Sequence, residues 1–487
     1  MNVRKIRSAT EDVLSLIRSQ EGLGFGLASM YVTEPCETRP RTLEIVMVSD
    51  TEVIRISATL EKPEFPSLTA HIPAAGIYER EIFEMSGVTP LNHPDLRLLK
   101  LRKVCNDGYP LQKGSYQGTF KTIQIPKNDM VGEGIFEIPV GPIHAGVIEP
   151  GHFRFSAAGE PILMMRTYLG YKYRGIEKLL ETPVGKNNTK LAERISGDNA
   201  IAHSMAYLQA LESDTEIPVR AEFIRTIYAE LERIYHLLSG ISGIALDTAL
   251  TVPAAEGYAL KERMLRLNKD VSGHRMLRGI LRPGGVRRDI DETSSDAIEH
   301  EMIHLKLDLE NLFETILSSA SFLDRAENTG VLENDIATRL KTVGPVARAS
   351  GVKYDVRKNH PYAAYGRIKM RVPVEMDGDV AARLKIKKEE ISESISIITQ
   401  CIDAMEPGDL FCDVRTEDGV HVGMTESPRG EVLHCIHVMN GNIWRYKIRD
   451  ASFPNWPALE HAVMGNIVPD FPVINKSFDL SYSGNDL

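Results

Sequence analysis

The run His300-Glu301-Met302-Ile303-His304 has the H-E-x-x-H spacing. On a helix that spacing stacks two imidazoles one turn apart with a carboxylate between them, the arrangement of a zinc-dependent hydrolase. Its neighbours argue against that chemistry. Met302, Leu305 and Leu309 form an apolar stripe, so the two histidines fall on the opposite, solvated face with Asp308 and Asn311. Five cysteines supply the thiols: Cys36, Cys105, Cys401, Cys412 and Cys435. No two have C-x-x-C spacing, and an odd number fits reduced thiols better than a disulfide framework. Their scatter also speaks against an iron–sulfur cluster held by this chain. No G-x-G-x-x-G follows a strand-like run, so the sequence offers no dinucleotide site of its own.

At 487 residues the chain is long enough for two or three domains. A net charge of −10 argues against nucleic acid as a partner and against a basic membrane-surface patch. No apolar run approaches the roughly 20 residues that span a bilayer. The basic start, Met1-Asn2-Val3-Arg4-Lys5-Ile6-Arg7, has no apolar signal core behind it. The expectation is a cytoplasmic protein able to dock on membrane subunits.

Residues 42–47 and 53–58 read as strands among helical stretches, giving an α+β unit over residues 1–120. A glycine-rich connector follows, with residues 121–138 as linker. From residue 139 to 487 long helices dominate. Phe223, Ile227, Leu231, Ile234 and Leu238 recur in steps of three and four, predicting a helix over 217–245. Further helices are predicted over 255–278, 297–323 and 388–405, the first of these ending before Pro283-Gly284-Gly285. Residues 408–448 alternate more and read as a small β region. The fold class is therefore α+β, a small mixed unit followed by a mainly helical one.

Two runs gain meaning by resemblance. Glu193-Arg194-Ile195-Ser196-Gly197-Asp198-Asn199-Ala200-Ile201-Ala202-His203 and Asp479-Leu480-Ser481-Tyr482-Ser483-Gly484 resemble the motifs that hold the metal of membrane-bound nickel-iron hydrogenases. Those motifs are Glu-Arg-x-Cys-Gly-x-Cys-x-x-Ala-His and Asp-Pro-Cys-x-x-Cys. Here the cysteine positions read Ser196, Asn199, Ser481 and Gly484. Hydroxyls, an amide and a glycine do not replace soft thiolates on a nickel-iron pair. Collinear runs extend the likeness. Gly141-Pro142-Ile143-His144 and Glu149-Pro150-Gly151-His152 resemble the opening of group 4 hydrogenase large subunits. Arg282-Pro283-Gly284-Gly285-Val286, Arg357-Lys358-Asn359-His360-Pro361-Tyr362 and Pro428-Arg429-Gly430-Glu431 resemble the 49 kDa subunit of respiratory complex I. Arg80-Glu81-Ile82-Phe83-Glu84-Met85-Ser86-Gly87 resembles the signature of the 30 kDa subunit, from which Glu84 departs.

The resemblance implies a fused 30 kDa-like and 49 kDa-like subunit, similar to the formate hydrogenlyase-like branch that lacks the nickel cysteines. It implies a cavity that passes electrons from an iron–sulfur cluster in a small partner subunit to a quinone, with integral-membrane antiporter-like subunits beyond. No cofactor is expected on this chain itself, and the complex would sit at the inner membrane through its partners. The implied quinone contacts are Tyr207, His152 and Asp247, the aspartate orienting the histidine. A phenol and an imidazole suit the two carbonyls of a quinone, whose reduction takes two protons. His203, Glu177 and Arg357 are the further expected binding positions around the cavity. The rival expectation is a non-redox structural subunit with a vestigial cavity coupled to an ion-translocating membrane arm.

Overall fold

The computed structural model describes residues 3–36, 39–105, 108–114, 120–122, 124–125, 130, 132–144, 148–185 and 187–487. Much of the expected connector lies outside them. The N-terminal unit is a four-stranded sheet with helices. Its strands are β1 (Val3–Ser8), β2 (Gly26–Thr33), β3 (Thr42–Val48) and β4 (Val53–Thr59), in the order β1-β4-β3-β2, with α1 (Val13–Glu21) between the first two. β4 runs parallel to β1 and antiparallel to β3. Alternating Ile45 and Met47, Ile54 and Ile56 drive one face of this sheet into a core with Ile17 and Met30. α2 (Ala75–Ser86) packs against β2 and ends at Gly87 in the left-handed region.

The second unit begins with the antiparallel strands β5 (Ile135–Val140), β6 (His152–Ala158) and β7 (Ile162–Tyr168). β5 thus starts inside the stretch read as linker. The helices α3 (Ala200–Leu211), α4 (Val219–Asp247), α5 (Thr251–Ser272), α6 (Glu292–Leu317) and α7 (Val380–Ala404) follow. The 29-residue α4 is central, packed by α5 and α7 and buried nearly all round. Its predicted stripe, Phe223 to Leu238, lies in the core.

Helix boundaries moved where caps outrank periodicity. α6 starts at Glu292 because the Asp291 carboxylate accepts from Ser294 N at 2.9 Å. It stops at Leu317, and a separate helix, Ala320–Ala326, follows a Ser319 cap. α7 starts at Val380, eight residues before its apolar signal, because Asp379 accepts from Ala382 N at 2.7 Å. α5 ends at Ser272, where Gly273 takes a left-handed conformation.

The antiparallel meander β8 (Gly419–Ser427), β9 (Gly430–Met439) and β10 (Asn442–Arg449) carries α3 on its face. Gly423 permits that contact, because a Cβ there would overlap the Ala206 carbonyl. α8 (Ser452–Ala462), α9 (Phe471–Phe478) and α10 (Tyr482–Asp486) close the chain. The two units share contacts along this meander. Phe453 sits in the N-terminal core, Arg449 Nε donates to Ala28 O at 2.9 Å, and Tyr31 Oη lies 2.8 Å from His437 Nε2. Glu81 of the N-terminal signature pairs with Lys100 at 2.7 Å and with Lys447.

Candidate functional site

Two segments 285 residues apart in sequence meet in the interior: the hydroxyls of Ser196 and Ser481 are 3.0 Å apart. The first segment is the turn leading into α3. Glu232 of α4 anchors it by accepting from Ile201 N at 2.7 Å and Ala202 N at 2.9 Å, which satisfies the open first turn of the helix. The second is the turn into α10, where Ser481 is the cap and accepts from Gly484 N at 2.9 Å. The strap before β6 holds this turn too, since Glu149 accepts from Ser483 N at 2.9 Å.

Charged side chains surround the serines and are paired with one another. Arg429 donates through both terminal nitrogens to Asp198, each at 2.9 Å, a bidentate contact of the strong kind. Its Nε donates to the Asp479 carbonyl. His236 of α4 lies between two acids, with Nδ1 3.2 Å from Asp198 and Nε2 3.0 Å from Asp479. Lys387 reaches Asp479 at 3.4 Å. Asn199, with its amide turned to match donors with acceptors, donates to Asp198 O at 3.0 Å and accepts from Arg429 Nη1 at 3.2 Å. Ser196 Oγ donates to Asp198 Oδ1 at 2.9 Å. Gly484 lies against Asp450, whose Oδ2 would be 2.6 Å from a Cβ at that position. The four positions Ser196, Asn199, Ser481 and Gly484 thus share one locus.

The pairing fixes the charge states. Burial alone would raise the Asp479 carboxyl, but Lys387, His236 and Arg429 hold it well below the usual carboxylate range. Asp198 is held down in the same way, against its burial, by Arg429 and His236. A depressed carboxylate contributes stability above its unfolded value, near 3.9, and loses it as pH falls through the folded value. Arg429→Gln returns both acids toward or above their unfolded values. The acid-unfolding midpoint of that variant is therefore expected at higher pH than the parent's, read by circular dichroism. An unchanged midpoint would show that the clamp contributes nothing to acid stability.

The expected site residues are distributed unevenly about this locus. His203 is there: its Nε2 lies 3.0 Å from Asp450 Oδ2 and its Nδ1 3.1 Å from His434 Nε2. His152 sits at the start of β6, one residue beyond Gly151, which packs against Tyr482. Both its ring nitrogens are engaged, Nδ1 with Gly141 O at 3.0 Å and Nε2 with Arg154 Nε at 3.2 Å. Burial and then Arg154 push its basicity down, so it is a neutral ring donating to Gly141 and accepting from Arg154. Asp247 ends α4 facing Lys476 and Arg325 rather than His152, and burial raises its carboxyl. The aspartate that stands against His203 is Asp450, 247 residues away in sequence. No pattern in the sequence pointed to it, nor to His434. Arg429 lay inside a matched run without an assigned role.

Tyr207 is fully buried on α3, its ring 6.1 Å from that of Tyr446, and burial raises its phenol. Glu177 accepts from Arg445 Nη1 and from Ile448 N, each at 2.9 Å. Arg357 pairs with Asp355 at 2.7 Å and Glu230 at 3.1 Å. These two are ion-pair partners in sealed surroundings. His300 and His304 are exposed with Met302 buried, as the stripe predicts. Among the described residues no group of three or more His, Cys, Asp and Glu side chains is arranged to hold a metal ion.

Comparison with known proteins fits this architecture. The profile of the respiratory-chain NADH dehydrogenase 49 Kd subunit matches residues 247–418 and 410–486, and that of the 30 Kd subunit matches residues 4–120. Formate hydrogenlyase subunit 5 of Escherichia coli (strain K12) is 33% identical over 451 residues, 89% of this chain and 79% of the relative. A fused NADH-quinone oxidoreductase component of Phocaeicola vulgatus is 28% identical over 500 residues, covering 96% of this chain and 94% of its own length. A component of the F(420)H(2) dehydrogenase of Methanosarcina mazei is 32% identical over 360 residues, 70% of this chain and 95% of the relative. With both profiles in order along one polypeptide, the chain belongs to the family of fused 30 kDa/49 kDa complex I subunits, related to the large subunits of formate hydrogenlyase and hydrogenase-4.

Proposed function

We propose that this chain is the cavity-forming subunit of a membrane-docked redox complex, passing electrons from an iron–sulfur cluster in a small partner subunit to a quinone or similar acceptor, without a nickel-iron centre. The observation that carries the reading is the convergence of Ser196, Asn199, Ser481 and Gly484 on one locus that lacks any thiolate. Two hydroxyls and an amide are the wrong donors for nickel and iron, and a glycine supplies no side-chain donor at all. The relatives named as quinone oxidoreductases support the acceptor class. Reduction of a quinone needs two electrons and two protons. The His203–Asp450 pair supplies an imidazole whose proton is held at a defined nitrogen beside the locus. Arg429 and His236 supply fixed positive and hydrogen-bonding groups where negative charge would develop on a reduced ring. No helix among the described residues is long and apolar enough to cross a membrane. In this reading membrane docking runs through antiporter-like partner subunits.

A second reading has its own observation. Both acids at the serine turn, Asp198 and Asp479, are already paired with Arg429, His236 and Lys387. That is how a structural subunit would seal a vestigial cavity while transmitting motion to a membrane arm. Purification of the tagged chain from its native membranes separates the readings. The expected result is a complex containing an iron–sulfur protein, with nickel far below one per chain and with quinone reduction that depends on the complex. Nickel at one per chain would overturn the metal-free site. A complex without quinone reduction would favour the structural reading, and recovery of the chain alone would overturn both.

A further inference from the structure

A line of proton-bearing groups leads away from the locus through the core. Asp450 Oδ2 lies 3.0 Å from His203 Nε2, His203 Nδ1 lies 3.1 Å from His434 Nε2, and His434 Nδ1 lies 2.6 Å from the Tyr446 hydroxyl. None of the four is more than 1% exposed. They come from separate elements, α3, β9, β10 and the turn after β10, so the alignment is made by the tertiary fold.

The protonation pattern follows from one end. Burial alone would raise the Asp450 carboxyl, but the His203 contact and the charge of Arg429 hold it below the usual range. An ionised carboxylate only accepts, so His203 carries a proton on Nε2; a neutral His203 ring then accepts at Nδ1. His434 must then donate from Nε2 and accept at Nδ1. Burial holds His434 well below the usual imidazole value, so it is neutral. Tyr446 is left as the donor. All three hydrogen bonds therefore point toward Asp450.

The other end opens toward the surface. The Tyr207 ring lies 6.1 Å from that of Tyr446, and its hydroxyl faces the Asn188 side chain and the Gly185 backbone. Gly185, next to both, is exposed.

We propose that Tyr446, His434 and His203 form a proton relay from the Tyr207–Asn188 side to Asp450. The proposal rests on the reading of the locus as a site of proton-consuming reduction, and it adds the route. In each passage Tyr446 gives its proton to His434 Nδ1 and regains one from the Tyr207 side. His434 gives its Nε2 proton to His203 Nδ1, and His203 gives its Nε2 proton to Asp450. Asp450 releases that proton to the acceptor, and both imidazoles return to their starting tautomers before the next. No electron moves in the relay. Two passages, with two electrons from the partner's cluster, convert a quinone to a quinol. Glu177, Cys435 and Tyr207 face Tyr446, and Arg429 and Arg449 face Asp450.

The relay is tested on the complex purified from native membranes, by quinone reduction in light and in heavy water. The parent is expected to reduce quinone with a solvent deuterium isotope effect. Tyr446→Phe is expected to assemble with the parent's iron content, to lower kcat at least about tenfold and to leave KM unchanged. Should Tyr446→Phe fail to assemble, His434→Gln removes the relaying imidazole and carries the same expectation. An assembled variant that turns over at the parent's rate would overturn the relay alone, while absence of quinone reduction by the parent would overturn the functional reading and the relay with it.

Discussion

Replacing Arg348 with methionine is expected to destabilise the folded chain by about 3–5 kcal/mol, because it removes one partner from a sealed ionic network. Arg348 reaches Glu390 at 2.6 Å, Glu426 at 2.9 Å and Asp355 at 3.4 Å. Arg233 and Arg357 complete the positive side, and Glu230 joins the negative side, so three guanidiniums face four carboxylates. All seven are at most 2% exposed. The excess acid shows in Glu426, which burial and then Asp355 push up to about 7. Its folded value lies above its unfolded value near 4.3, so its contribution is full below about pH 4.3 and is lost as pH rises through about 7. Without Arg348 the folded network binds protons more tightly still. The deficit of the variant should therefore be larger at pH 8 than at pH 6. Urea unfolding of parent and variant at both pH values measures this. A deficit below about 1 kcal/mol, the level of an exposed pair, would mean that the network is not sealed in solution.

Gly484→Cys is expected to be nearly as costly and not to restore a metal site. The new Cβ would lie 2.6 Å from Asp450 Oδ2 and 2.7 Å from its Cγ. Asp450 cannot step aside cheaply, since it is held by His203 at 3.0 Å and accepts from Ser452 N at 2.7 Å. Displacing it gives up two hydrogen bonds to a charged group, roughly 1.5–3 kcal/mol each. The expected result is a loss of about 3–5 kcal/mol and no gain of nickel by elemental analysis. A variant as stable as the parent, or one that takes up nickel, would show that Asp450 has freedom not seen in the structure. The comparison with Gly484→Ala separates the steric part from the thiol: both should destabilise to a similar extent.

Periodicity and composition carried much of the architecture. The steps of three and four from Phe223 to Leu238 place a buried helix there, because a helix surrounded by protein must present apolar side chains at its own period. Residues 42–47 and 53–58 are rich in β-branched and other apolar types, which places strands there. The solvated face of His300 and His304 followed from the stripe through Met302 and Leu305. Helix starts did not follow, since Asp291 and Asp379 act through a single hydrogen bond to a backbone amide, a signal that leaves no period.

The site divided along similar lines. By itself the sequence determined the identity of the two turns, Glu193 to His203 and Asp479 to Gly484, and the absence of thiols from them, since residue type and local spacing are properties of a contiguous run. Only the tertiary structure decided that Ser196 touches Ser481 and that Arg429 clamps Asp198. It also decided that the acid beside His203 is Asp450, that Asp247 faces Lys476 and Arg325 instead of a histidine, and that His203, His434 and Tyr446 stand in line. These pairings join residues from 12 to 285 positions apart, brought together when α3 packs on the β8–β10 sheet and the C-terminal turn closes against α4. Contacts of that range depend on how elements stack, and a stacking geometry leaves no imprint on the local order of side chains.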